Sequence, residues 1–128
     1  MKKVDIRECA RVGRASVRRL GDQEEWRSIC GTRRDLANAS EEPAAFHYMR
    51  ISDSRKHYHE RTTEYYFVVE GVGEMELDEE TVPIREGDLI VVPPGTRHTS
   101  RPTAEAELHI LIVAIPPFSP SDPDHHFV

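Results

Sequence analysis

The sequence has little cysteine, few aromatic residues and no long apolar run. Its two cysteines, Cys9 and Cys30, are too few for a disulfide framework, and their spacing fits no zinc motif. They are expected to be ordinary reduced thiols. No apolar stretch approaches the roughly 20 residues that a membrane helix needs. The longest, Ile110 to Ile115, is stopped by Pro116-Pro117, so no membrane partner is expected. The charged start Met1-Lys2-Lys3-Val4-Asp5 has no apolar stretch behind it, which argues against a secretory signal and for a cytoplasmic location. There is no internal repeat and no low-complexity tract, and no long amphipathic helix is evident past residue 40.

What is present fits one globular domain. The chain has 128 residues, 38% of them hydrophobic and 31% charged, enough for a core beneath a well-solvated surface. The net charge of −6 conceals an asymmetry, because residues 1–34 carry ten Lys or Arg against five Asp or Glu. Arg7, Arg11, Arg14 and Arg18 would line one face of a helix. Gly13, the weak apolar periodicity and the lack of interleaved aromatics argue instead for a solvated face, so no nucleic acid is expected. The acidic remainder would repel phosphates unless a metal drew them in.

From Trp26 onward, short apolar runs alternate with Gly, Pro and Asp clusters. Strands are expected at Trp26–Cys30, Ala45–Ile51, Tyr65–Glu70, Glu74–Leu77, Thr81–Ile84, Asp88–Val92 and Glu107–Ile115. Turns fall at Gly71-Val72-Gly73, Asp78-Glu79-Glu80, Glu86-Gly87-Asp88 and Pro93-Pro94-Gly95. Many short strands at regular spacing indicate an all-β sandwich or barrel. The expected organisation is an N-terminal extension over residues 1–25, a barrel over 26–115 and a Pro-rich tail over 116–128 without a strand pattern.

The chemistry concentrates in His57-Tyr58-His59 and Glu64. Alternate residues of a strand share a face, so His57 and His59 point together, a natural two-imidazole metal site. With a bend between, Glu64 can return on the next strand to offer a carboxylate. The tight turn Pro93-Pro94-Gly95-Thr96 would lay His98 on a strand beside the first pair.

The stretch His57-x-His59-x4-Glu64-x6-Gly71 resembles the first cupin motif at each of those positions. The stretch Gly87-x5-Pro93-x-Gly95-x2-His98 resembles the second. The spacer, residues 72–86, is short, as in compact members of the family. There are two departures: Ile51 stands where the family pattern has Gly, and Pro102 where the second motif often has Asn. Neither position is a ligand. The resemblance implies a double-stranded β-helix (jelly-roll) barrel. It also implies His57, His59, Glu64 and His98 as ligands to one divalent transition metal: iron, manganese, nickel, zinc or copper.

Strand parity after Glu64 puts Tyr66 and Val68 on the ligand face, and Tyr65, Phe67 and Val69 on the other. Tyr66 is therefore a candidate catalytic residue whose phenol orients a substrate or shuttles a proton; a packed core tyrosine is the simpler alternative. Of His47 and Tyr48 one faces inward, and the pattern does not say which. His109 is equally open. Glu60 and Arg97 should point away from the ligands. Arg33 and Arg34 could serve an anionic substrate, but nothing locates them. In the tail, Asp122, Asp124, His125 and His126 could form a weak second metal site, although such an end usually does nothing specific.

The family resemblance suggests a metal-dependent enzyme, dioxygenase-, decarboxylase- or isomerase-like, acting on an oxygen-rich small molecule. The alternative is a non-catalytic module that binds a sugar or organic acid. A storage-like role is disfavoured by the single small domain. The outward Tyr65, Phe67 and Val69 suggest a homodimer, to which residues 1–25 could contribute an exchanged strand.

Overall fold

The computed structural model describes residues 10–52, 54–118 and 124–128. Strands β1 (Ala10–Val12) and β2 (Ala15–Val17) form a hairpin about Gly13, and one turn of 3-10 helix (Leu20–Asp22) follows. The strands after it are β3 (Trp26–Ser28), β4 (Gly31–Ala37), β5 (Ala45–Ile51), β6 (His57–Tyr58), β7 (Thr63–Glu70), β8 (Val72–Leu77) and β9 (Glu80–Arg85). Next come β10 (Leu89–Val92), β11 (His98–Pro102), β12 (Leu108–Ile115) and β13 (His126–Phe127). A six-stranded sheet runs β10-β7-β12-β5-β4-β3 and a five-stranded sheet runs β13-β6-β11-β8-β9, with every pairing antiparallel. The chain folds as an all-β jelly-roll barrel.

Alternation produces the core. In β5, Ala45, His47, Met49 and Ile51 are buried while Phe46 is exposed. In β12, Leu108, Ile110, Ile112 and Ala114 turn inward. They meet Met75 and Ile84 of the second sheet, and Val68 and Val92 close the same cluster. Removing this apolar area from water is the main stabilising term.

The expected strands are present with small shifts in their ends. Two elements escaped the sequence pattern, β4 and the tail strand β13. Strand β4 reads Gly-Thr-Arg-Arg-Asp-Leu-Ala, too polar to suggest a strand. Its charges are spent on neighbours, Arg33 Nε on Asp35 Oδ1 at 2.8 Å and Arg34 Nε on Glu25 Oε2 at 3.5 Å. The β3 strand ends at Ser28, short of the expected Cys30, because the chain turns there into β4. Strands β6 and β11 carry the histidines but are brief and polar. The tail is a correction: His126 and Phe127 form β13 on the edge strand β6, and Asp124 is buried. Within the extension, β1 pairs with β2 of the same chain. Cys9, Arg7 and Asp122 lie outside the described residues. No helix among the described residues is long and apolar enough to cross a membrane.

The hairpin glycine between β7 and β8 is required sterically. Gly71 has φ +93°, and a Cβ there would collide with the Glu107 carbonyl oxygen. Gly71→Ala is expected to cost about 2 kcal/mol or more, from left-handed strain plus displacement of the β12 backbone. A thermal melt of the variant, compared with the wild type, checks this; an unchanged midpoint would contradict it.

Candidate metal centre

The two sheets bring the four histidine and glutamate side chains together. Glu64 lies at the start of β7 in the larger sheet, and His57 and His98 face each other across β6 and β11 in the smaller. His59 follows β6 directly. The Gly95 N–H donates to the His59 carbonyl at 2.7 Å, tying the second turn to the first histidine strand. All four residues are buried, His98 at 0% exposure and His59 at 2%. Their ligating atoms lie within 4.8 Å of one another, so the group could hold a metal ion.

Hydrogen bonding sets the tautomer of each imidazole. Nδ1 of His57 lies 2.8 Å from the Arg55 carbonyl, Nδ1 of His98 2.8 Å from the Thr96 carbonyl, and Nδ1 of His59 2.7 Å from the Asp124 carbonyl. A carbonyl oxygen only accepts, so each Nδ1 carries the proton. In the neutral rings every Nε2 is then a bare lone pair. Yet His98 Nε2 sits 3.0 Å and His59 Nε2 2.8 Å from Glu64 Oε1. His59 Nε2 is buried with no hydrogen bond of acceptable geometry. Lone pairs facing a carboxylate at this range repel unless a cation lies between them, either a proton or a metal. The donor set of three imidazoles and one carboxylate suits a divalent transition ion, and the backbone partners supply the outer support that metal-binding histidines need.

The electrostatics agree. Burial, reinforced by neighbouring His98, lowers the His57 pKa to about 4, so this ring is neutral at ordinary pH. For His59, burial lowers the pKa, but the Glu64 carboxylate outweighs it and the net shift is upward. Burial would raise Glu64, but its contacts with His59 and His98 hold it well below the usual carboxylate range. Tyr66, 2% exposed, shares a face with Glu64. Burial and the Glu64 charge raise the Tyr66 pKa well above its ordinary value, so the phenol keeps its proton. The buried Cys30 is pushed up to about 12 by burial and then by Glu64, making it an unreactive thiol.

The structure decides the positions the sequence left open. His47, not Tyr48, faces inward, with Nδ1 2.7 Å from Asp35 Oδ1 and Nε2 buried without a partner. Tyr48 lies on the outer face, its hydroxyl 2.8 Å from His109 Nδ1, and His109 Nε2 contacts Glu107 at 2.7 Å. Glu60 and Arg97 point away as expected, Arg97 packing 4.3 Å over the Tyr58 ring. Arg33 sits 4.0 Å over the Trp26 ring and Arg34 turns to the outer face. A cavity of about 480 Å³ is lined by Trp26, Arg33, Asp35, His47, Phe118 and His125 among others, and by none of the four donors themselves. Phe118 and His125 join it to the centre, their ring centroids 4.6 and 4.8 Å from that of His59. His125 was named only as part of a weak tail site, and its place beside His59 was unreadable because neither periodicity nor motif spacing reaches the tail. Among the described tail residues, His125 faces the centre and does not join Asp124 and His126. Asp124 and His126 cluster with Glu60, but the Asp124 carboxylate already accepts the Glu60 and Arg61 N–H groups at 2.9 Å each.

The model of the cupin domain matches residues 47–114, just over half of the chain. The chain belongs to the cupin family. An uncharacterized protein of Methanocaldococcus jannaschii, MJ1618, is 38% identical to this cupin over 66 residues, 52% of this chain and 53% of that one. The cupin spans about half the length of the curated relatives it matches. A crystal structure of a protein from Planctomyces limnophilus superposes with a TM-score of 0.77 at 25% identity, covering 90% of this chain and 98% of that one. A Streptomyces Pac13 structure with uridine superposes at 0.72 with 22% identity, covering 86% and 88%. Pac13 is described as a nucleoside dehydratase; at that identity the likeness shows the shared fold.

A metal held by these rings competes with protons for Nε2. His57, with its pKa near 4, stays neutral down to mildly acidic pH, whereas the upward-shifted His59 takes a proton first on acidification. Zinc affinity, measured by chelator competition from pH 8 to pH 5, is therefore expected to fall as pH falls. A flat profile would contradict the assignment of His59.

Proposed function

We propose that this cupin is a metal-dependent enzyme acting on an oxygen-rich small molecule, with His57, His59, Glu64 and His98 holding one divalent transition metal. The observation that carries this reading is the convergence of three Nδ1-anchored imidazoles on a buried carboxylate, beside a cavity large enough for a small ligand. On a six-coordinate ion, four protein donors leave coordination positions for a ligand. Such an ion would supply a Lewis acid or a redox centre at the substrate's oxygen atoms.

The chain's own groups have separate tasks. Tyr66 sits beside Glu64, whose charge together with burial keeps the phenol protonated. His47 lines the cavity and is oriented by Asp35, leaving Nε2 to hydrogen-bond a ligand. Ala45 and Ala114 stand beside Glu64 along the sheet. Their small side chains leave room between the four donors and His47. Phe118 and His125 cover His59 and limit water access. These positions suit proton transfer on a hydroxy-carbonyl or hydroxy-acid substrate, isomerase- or lyase-like.

Metal analysis of protein purified anaerobically, followed by substrate screens, tests the proposal. The screens read oxygen uptake with catechols and diketones, and deuterium exchange with aldoses and hydroxy acids. Stoichiometric metal and turnover in one screen are expected. His57→Ala and His98→Ala should each lose the metal while keeping the β-sheet circular dichroism. His47→Ala should keep the metal and raise KM for the active substrate at least tenfold. Metal-free protein that gains no thermal stability from added divalent ions would refute the centre. Loaded protein inert in every screen would favour the non-catalytic binding module instead.

A homodimer is also proposed. The outer face of the six-stranded sheet exposes Phe46, Phe67, Val69, Leu89 and Val91, with Leu89 at 58% and Val91 at 50%, a patch of the kind that pairing covers. Light scattering should give twice the chain mass, and the double variant Phe67→Asp/Leu89→Asp should give the monomer. A monomeric wild type would overturn it.

A further inference from the structure

The three imidazoles are not anchored in the same way. His57 and His98 each use the carbonyl two residues before them, Arg55 and Thr96. His59 uses the Asp124 carbonyl, 65 positions along the chain, through a fully buried bond of 2.7 Å. The segment that delivers this carbonyl is clamped to the barrel several times over. The Asp124 carboxylate accepts the Glu60 and Arg61 N–H groups at 2.9 Å each. Strand β13 pairs with β6, matching His126 to Tyr58 and Phe127 to His57, and the Val128 N–H reaches the Lys56 carbonyl at 3.3 Å. His125 then stacks on His57 at 5.7 Å and meets His59 edge-on at 4.8 Å.

We infer that the C-terminal segment Asp124–Val128 is a built-in part of the metal centre: docked, it sets the tautomer of His59 and raises metal affinity, and bound metal in turn holds it docked. This rests on the metal reading above. The physical reason is the tautomer. Without the Asp124 carbonyl, the His59 proton is free to move to Nε2, drawn by the Glu64 carboxylate oxygen 2.8 Å away. A protonated Nε2 cannot ligate. Docking of the segment removes that alternative, and linkage requires the metal to strengthen docking by the same factor.

The test uses zinc as the probe, with chelator competition, and a chain ended after residue 123 beside the full-length protein. The truncated chain is expected to bind zinc 10- to 100-fold more weakly, the usual effect of removing an outer partner of a ligating histidine, and to show altered d–d absorption with cobalt(II). Asp124→Ala, which keeps the carbonyl but loses the clamp on Glu60 and Arg61, should fall between the two. Hydrogen exchange of the Val128 and Phe127 amides in the full-length protein should slow on adding zinc. A folded truncated chain with affinity within twofold of the full-length protein overturns the inference. If truncation prevents folding, unchanged affinity in Asp124→Ala together with zinc-independent exchange overturns it. A full-length protein that binds no zinc or cobalt instead refutes the metal reading itself, and this inference with it.

Discussion

Three imidazole lone pairs and a carboxylate cannot share a small buried space without a positive charge among them. Glu64 Oε1 stands 2.8 and 3.0 Å from two ring nitrogens whose protons are committed to carbonyls on the far sides of the rings. In water such groups would turn away and be solvated. Here His98 and His59 are at 0% and 2% exposure, and the barrel wall leaves them nowhere to turn. Uncompensated, the arrangement would cost several kcal/mol. The rest of the molecule can be read as the scaffold that holds these four groups in place until a cation offsets the cost.

The jelly roll suits that task because its two sheets contribute from opposite walls. Glu64 comes from the six-stranded sheet and the histidines from the five-stranded one, so their separation is set by sheet packing and not by a loop. The apolar cluster of Met75, Leu108, Ile110 and Val68 fills the barrel on one side of the centre. On the other side the inward residues change character to Ala45, Ala114, His47 and Asp35, and a cavity opens. A packed half gives rigidity and an open half gives access, along the same strands. Membership of the cupin family accounts for the barrel and is compatible with many chemistries on it; the specific side chains facing the cavity are what discriminate among them.

Much of the fold was legible because alternation is a local property. Strand β5 was expected at its observed limits, and the parity after Glu64 correctly placed Tyr66 and Val68 inside, with Phe67 and Val69 outside. The polar β4 was missed because its charges are neutralised by residues remote in sequence, as Arg34 is by Glu25. His47 and Tyr48 could not be told apart, since either parity gives one polar aromatic side chain inward. Only the register of β5 against β12 and β4, which sets His47 opposite Ile112 and Asp35, settles it.

The sequence by itself pointed to the barrel through strand alternation and, through the resemblance of its two motifs, to His57, His59, Glu64 and His98 as a set, because alternation and motif spacing are read along the chain. For His57 and His98 even the supporting carbonyl lies two residues away. The third support was decided only by tertiary structure. Asp124 reaches His59 because a two-residue strand adds to the edge of β6, and two residues carry no periodicity from which a strand could be read. The tail thus changed from a featureless Pro-rich end into the segment whose carbonyl orients the His59 ring. That hydrogen bond exists only once the tail is packed against the edge of β6.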